Sequence, residues 1–317
     1  MPLETALAQP RSIPASLHRD IARAITAVEN GYANVADAER TYLAPYPEPP
    51  HAAYVVGFTG PPGAGKSTLV DCLIERLRAQ GKTVAVIAVD PSSPFTKGAV
   101  LGDRVRMQRH ASDPGVFIRS MASREAGGGL APTTRLVLAL IQRAGFDVIL
   151  IETVGVGQVE LEIVSLADVI AVVTVPALGD GVQTIKAGMM EIADIFIVNM
   201  ADRPGANATA VDLTHMVRDS RRDVPVLQTI GTSASGIDEL IVALDAARDN
   251  VTSNAQRAVR FEVIRTVRDG AVARAAEMLD SSRGQRIFQR LSAHEITRVE
   301  ARAELLAGIN EGAQHAD

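Results

Sequence analysis

Tyr54-Val-Val-Gly-Phe-Thr-Gly60-Pro-Pro-Gly63-Ala-Gly65-Lys66-Ser67-Thr68 changes character twice. Tyr54 to Phe58 is an apolar run of the kind a buried strand needs. Gly60 to Ser67 fits G-x-x-x-x-G-K-[S/T] at every fixed position. From Thr68 to Gln80 the pattern turns helical, with Leu69, Cys72, Leu73, Arg76 and Leu77 at helical spacing. Strand, glycine loop and helix in that order make a phosphate-binding loop. Gly60, Gly63 and Gly65 let the backbone turn tightly and aim its N–H groups at phosphate oxygens. The new helix adds its positive end. The whole stretch Gly60, Pro61, Pro62, Gly63, Ala64, Gly65, Lys66, Ser67 and Thr68 is assigned to a nucleoside triphosphate. Lys66 would reach the β- and γ-phosphates and the Ser67 hydroxyl would ligate Mg²⁺.

Composition narrows the classes. A chain of 317 residues, 47% of them hydrophobic, can build one large α/β domain with helical additions. A net charge of −5 and the lack of a basic stripe with interleaved aromatics argue against a nucleic-acid binder. One cysteine, Cys72, excludes an internal disulfide framework and reads as a small core residue of the helix. The first residues lack the basic start and apolar run of a signal peptide. The nearest approach to a membrane span, Leu161 to Leu178, carries Glu162 and Asp168. A soluble, cytoplasmic protein with no membrane partner is expected.

Three regions follow from the pattern: an N-terminal helical extension over 1–50, a nucleotide domain over 51–250 and a C-terminal helical arm over 251–317. Ser16 to Asn30 reads as a helix with Leu17, Ile21, Ile25 and Val28 on one stripe. Tyr42 to Pro50, with its prolines, reads as an extended connector. Buried strands are predicted at Thr83–Val89, Val116–Ser120, Asp147–Glu152, Val169–Val175, Asp194–Asn199 and Val224–Thr229. The expected fold is α/β, a mostly parallel sheet flanked by helices.

In open sheets of this kind ligands bind beyond the carboxyl ends of the strands. Asp90, at such an end, is either a metal-binding carboxylate or the first residue of an Asp-Pro turn. Asp103 lies in a glycine-punctuated segment, as a switch carboxylate or a helix N-cap. Glu152 closes a branched apolar strand, as a Walker B carboxylate does, and Gly155 stands where its N–H could bond a γ-phosphate. Gln158 could orient water or be a surface residue. Asn199-Met-Ala-Asp202 and Ser233-Ala234 stand in the order and strand-end positions of guanine-reading loops. The Asp202 carboxylate can accept from both N1–H and the N2 amine of guanine. Met200 replaces the lysine usual in that motif. After Asn254 the pattern is helical: Val259, Val263, Val267, Val272 and Met278 form one stripe, Gly284 and the residues around it break the helix, and Ile287, Leu291, Ile296, Val299, Leu305 and Leu306 continue a second.

Gly60-Pro-Pro-Gly-Ala-Gly-Lys-Ser-Thr68, Val89-Asp-Pro-Ser-Ser-Pro94, Leu101-Gly-Asp-Arg-Val-Arg-Met107 and Glu152-Thr-Val-Gly-Val-Gly-Gln158 together resemble the MeaB/ArgK/MMAA family, accessory GTPases of methylmalonyl-CoA mutase. The resemblance covers nearly the whole length. It implies a homodimer similar to the metal-chaperone GTPases for hydrogenase and urease. It implies GTP and GDP as ligands, with Mg²⁺ at Ser67, Asp90, Asp103 and Glu152, catalysis through Lys66, Asp103 and Glu152, and Asp202 on guanine. Members gate adenosylcobalamin loading of a B12-dependent mutase and protect it. An older family label, kinase of amino-acid-binding transport proteins, and metal insertion stand as alternatives. The first lacks a second substrate site in the sequence, the second a Cys/His cluster.

Overall fold

The computed structural model describes residues 11–91, 107–123, 132–153, 163–176, 187–219, 223–248, 259, 263, 266–267, 270, 272–293 and 295–313. The chain divides into two compact units, Met1–Arg257 and Ala258–Asp317.

In the first unit seven strands form one sheet: β1 (Tyr54–Thr59), β2 (Val84–Pro91), β3 (Val116–Ser123), β4 (Val148–Thr153), β5 (Val169–Thr174), β6 (Ile195–Asn199) and β7 (Val226–Thr229). Their order is β3-β2-β4-β1-β5-β6-β7, and every pairing is parallel. β1 is thus central, flanked by β4 and β5. Strands β1, β4, β5 and β6 are buried at every residue. Helices cover both faces of such a sheet, which is why these strands read as continuous apolar runs rather than alternating ones.

Register is pinned at the amino edge by one device used three times. Asp147, Asp168 and Asp194 each directly precede a strand. The backbone N–H of each donates to the carbonyl of Thr83, Val55 and Ile170 respectively, at 3.1, 2.8 and 2.9 Å. Its carboxylate then accepts the N–H of that same residue, at 2.7, 2.8 and 2.9 Å. A shift of one residue would break both bonds of a clamp at once.

The N-terminal helix Ala15–Glu29 buries Leu17, Ile21, Ala24, Ile25, Ala27 and Val28, the expected stripe with two alanines added. His18 meets Phe117 and Phe146 edge-on, with ring centroids at 5.9 and 6.2 Å, and burial holds its imidazole below the ordinary range. The expected extended connector begins later than the sequence suggested. Glu39–Leu43 forms a π-helical turn that takes in Tyr42 and Leu43, and regular structure stops only at the first proline, Pro45. The Arg143 guanidinium then collects the carbonyls of Tyr46 and Pro47 at 2.9 and 3.0 Å.

The phosphate-loop helix spans Lys66–Ala79 and buries Leu69, Cys72, Leu73 and Leu77. Arg76 shares the spacing of these residues but not their burial. It sits at the stripe's margin, so its guanidinium reaches outward to Asp238 at 3.5 Å, while Ile74 fills the core. Strands β2 and β3 run further than their apolar cores. Asp90 pairs with Ala122 and Pro91 with Ser123, so Asp90 lies within the last stretch of pairing rather than after it.

In the second unit residues 272–280 are helical, followed by helices Ser282–Ser292 and Arg298–Ala313. The break beside Gly284 falls at Ser281, whose hydroxyl accepts the Gly284 N–H at 3.1 Å and caps the next helix. Gly284 sits in the first turn, where a Cβ would collide with the Met278 carbonyl. Thr297 and Glu300 form a capping box: Thr297 N–H donates to Glu300 Oε2 at 2.8 Å and Glu300 N–H to Thr297 Oγ1 at 3.2 Å. The second stripe is only partly inward. Ile287 is buried, but Val299 and Leu306 are 78% and 50% exposed, and Ala301 takes the buried place.

Candidate nucleotide site

The loop between β1 and the Lys66–Ala79 helix is bent by three left-handed glycines, Gly60 (φ 138°), Gly63 (φ 77°) and Gly65 (φ 82°). Two of them are also required by space. A Cβ at Gly60 would collide with the Val173 carbonyl, and one at Gly65 with the Asn199 side-chain amide. Gly63 has nothing within 4 Å on that side, so there only the backbone angle asks for glycine. Lys66 is 5% exposed, and its ammonium donates to the carbonyls of Gly60 and Pro61 at 2.7 and 3.0 Å, arching over the loop.

Ser67, one residue into the helix, donates its hydroxyl to Glu152 Oε1 at 2.6 Å. Glu152 is 3% exposed and pairs in register with Phe58 of β1 and Ala88 of β2. Parallel register therefore delivers a carboxylate from the neighbouring strand to the head of the phosphate-loop helix. A hydroxyl and a carboxylate oxygen this close are hard oxygen donors, the chemistry that Mg²⁺ takes. The residues present fit that ion. Below them Thr153 Oγ1 meets Thr59 Oγ1 at 3.3 Å, a polar layer under the loop that no motif in the sequence announces.

Asn199, at the end of β6, is 2% exposed and joins three segments. Its side-chain amide donates to the Ala64 carbonyl at 2.8 Å. Its Oδ1 accepts from Thr229 Oγ1 at 3.1 Å and from the Gly231 N–H at 3.2 Å. The next residue, Met200, turns the chain with φ 57°, a left-handed angle unusual for a side chain of that size. That turn carries its methyl to 3.6 Å from where a Gly65 Cβ would stand. Asp202 follows on the exposed rim. After β7, Ile230 and Ser235 bridge across a turn that holds Ser233 and Ala234, the latter also left-handed at φ 54°.

Residues 60–68, Glu152 and Asn199 are thus in direct contact, and the turn bearing Ser233 and Ala234 is tied to them through Gly231. Asp90 contributes its backbone to the end of β2, two residues beyond the one level with Glu152. Asp103, Gly155 and Gln158 lie outside the described residues. Among the described residues no group of three or more His, Cys, Asp or Glu side chains could hold a metal on its own.

A family profile described as methylmalonyl Co-A mutase-associated GTPase MeaB matches residues 21–280. The chain belongs to the MeaB family. A Pyrococcus abyssi protein provisionally named a GTPase is 47% identical over 291 residues, covering 88% of this chain and 89% of that one. The mouse methylmalonic aciduria type A homolog, mitochondrial, is 42% identical over 147 residues, covering 46% of this chain and 35% of that one. A crystal structure of LAO/AO transport system kinase superposes with a TM-score of 0.65 over 93% of this chain and 96% of that one. At 24% identity that likeness speaks for the fold alone.

This MeaB-family chain is a GTPase, with the α/β fold and the guanine nucleotide that the family carries. The sequence pointed to the loop because its information is local. It did not reveal that Thr229 and Cys72 take part in holding the end of β6 and the turn after β7. Thr229 reads there only as the last residue of a strand, and Cys72 only as a core residue.

Proposed function

We propose that the protein binds GTP with Mg²⁺, hydrolyses it to GDP and phosphate, and serves as a chaperone of an adenosylcobalamin-dependent methylmalonyl-CoA mutase, gating cofactor loading and protecting the enzyme. The observation that supports the catalytic part is the Ser67–Glu152 contact at 2.6 Å, buried beneath the glycine loop. The partner is drawn from the description of the matching family.

In this reading the backbone of Gly60 to Thr68 cradles the β- and γ-phosphates, and Lys66 neutralises charge that moves onto them. Ser67 and Glu152, joined by Asp90 and Asp103, would hold Mg²⁺. When bound there, Mg²⁺ would supply positive charge that stabilises the negative charge developing on the phosphates. Asn199 fixes the loops, Asp202 accepts from the guanine N1–H and N2 amine, and the backbone at Ser233 and Ala234 faces O6. Met200 supplies apolar contact along the base without the usual cation. Gly155 senses the γ-phosphate. The protein works in the cytoplasm as a homodimer.

Substitution separates the roles. Lys66→Ala should abolish measurable GDP binding. Glu152→Gln should keep GDP affinity within a few-fold and slow turnover about 10²-fold or more, because positioned charge carries most of phosphoryl transfer. Adding a cobalamin-dependent methylmalonyl-CoA mutase should raise the steady-state GTPase rate, as completing a charge clamp is worth roughly 10³-fold in related switches. A Glu152→Gln enzyme as fast as wild type would remove the metal assignment. A rate indifferent to saturating mutase would remove the chaperone.

A further inference from the structure

The turn after β7 is anchored at a single residue from two sides. Gly231 gives its N–H to Asn199 Oδ1 at 3.2 Å, and its carbonyl accepts the thiol of Cys72 at 3.0 Å. Asn199 is itself bonded to Ala64 of the phosphate loop, and Cys72 stands on the phosphate-loop helix, one turn after Thr68. Both polar backbone groups of Gly231 are therefore tied to the element that holds the phosphates. The approach is close. A Cβ at Gly231 would lie 3.1 Å from the Thr68 methyl, so Gly231 rests directly on the Thr68–Cys72 face. Cys72 is 7% exposed, and burial, with Asp71 nearby, keeps its thiol protonated and able to donate.

We propose that Cys72 is a positioning residue for guanine recognition, its thiol setting the height of the turn that carries Ser233 and Ala234 above the phosphate loop. A backbone N–H reads a carbonyl oxygen only over a few tenths of an ångström. A turn left without its lower anchor would pivot about the Asn199 bond and lose the base while the phosphate loop stays in place. The inference rests on that turn facing the base.

The test compares GDP, ADP and tripolyphosphate binding by calorimetry in the full-length wild type, Cys72→Ala and Cys72→Ser. Cys72→Ala should weaken GDP about fivefold, the worth of one modest hydrogen bond, and leave ADP and tripolyphosphate unchanged. Cys72→Ser keeps a donor and should recover most of the loss. An equal loss for all three ligands would make Cys72 a packing residue and overturn the proposal, as would unaltered GDP affinity in Cys72→Ala. Failure of Cys72→Ser to recover any affinity would also count against it. A wild-type protein that binds GDP no better than ADP would reject the base-side reading of the turn, and the proposal with it.

Discussion

At Gly115 the chain has room for a hydrogen and nothing larger. A Cβ there would fall inside the Arg78 guanidinium, which is 9% exposed and holds Asp113 through two bonds of 2.9 and 3.0 Å. The same guanidinium donates to the carbonyls of Arg11 and Lys82 at 2.9 and 2.7 Å. Gly115→Ala should displace the guanidinium and cost roughly 1–3 kcal/mol in urea unfolding, the scale of hydrogen bonds lost at a part-buried charged group. Burial alone would raise the Asp113 carboxyl, but Arg78 and the Gly115 N–H together hold it below its ordinary value of 3.8. That depression contributes stability above pH 3.8, lost as pH falls through the folded value. The alanine variant should therefore lose less on acidification than wild type. Asp168 carries the opposite sign, since desolvation raises its carboxyl. The folded state binds that proton more tightly than the unfolded chain, so the ionised group opposes folding at neutral pH and this opposition fades as pH drops toward 3.8. Asp168→Asn keeps an acceptor for the Val55 N–H, and its stability relative to wild type should be most favourable near pH 7 and decline toward pH 4. Asp168→Ala leaves that N–H unmet and should cost about 1–3 kcal/mol in thermal melts.

Among the elements, the glycine loop and the β6 end act as one piece. Gly65→Ala would need a left-handed alanine and would push the Asn199 amide off the Ala64 carbonyl at once. Nucleotide affinity should fall by about 10²-fold or more while the far-UV circular dichroism stays unchanged. The sheet and the loop were legible because their signals are short in sequence: a strand buried on both faces is one apolar run, and the loop's glycines and lysine sit within eight positions. The N-terminal helix was legible by its stripe. Less so were features decided across the fold. Whether Arg76 faces the core or Asp238 depends on the helix packed beside it, which no spacing within Thr68–Gln80 encodes. The place of the break within the residues around Gly284 turns on the Ser281 cap, and Gly284 is needed for close approach to Met278. In the same way Asn199 can be assigned from its motif, but its bonds to Ala64, Thr229 and Gly231 join positions 135, 30 and 32 residues away.

Across the whole molecule the two units differ in how they use apolar side chains. The first encloses them in the sheet. In the second, Val259, Val263, Val267 and Val272 are 56 to 64% exposed. Val259, Val263 and Val267 recur at intervals of four, the spacing of one helix face, and an unburied apolar stripe of that kind offers a surface to another chain. We propose that the second copy of this chain covers it. Light scattering should give a dimer for the full protein and a weakened one for a chain ending near Asn254. Val263→Glu should dissociate the dimer while leaving GDP binding intact; a monomer in the full-length sample would remove the assignment. No helix among the described residues is long and apolar enough to cross a membrane.

The three aspartate clamps stand at the edge of the sheet opposite the nucleotide loops, and this has a kinetic meaning. Opening the loops beyond Glu152 or Asn199 breaks no clamp, whereas exposing the amides of Thr83, Val55 or Ile170 requires two bonds to part together. Native-state hydrogen exchange should accordingly be graded along each strand rather than between strands. Those three amides should exchange only through global unfolding, and amides near the carboxyl ends through smaller openings. Turnover of nucleotide can then loosen one rim of the sheet repeatedly while the other keeps the strands in step.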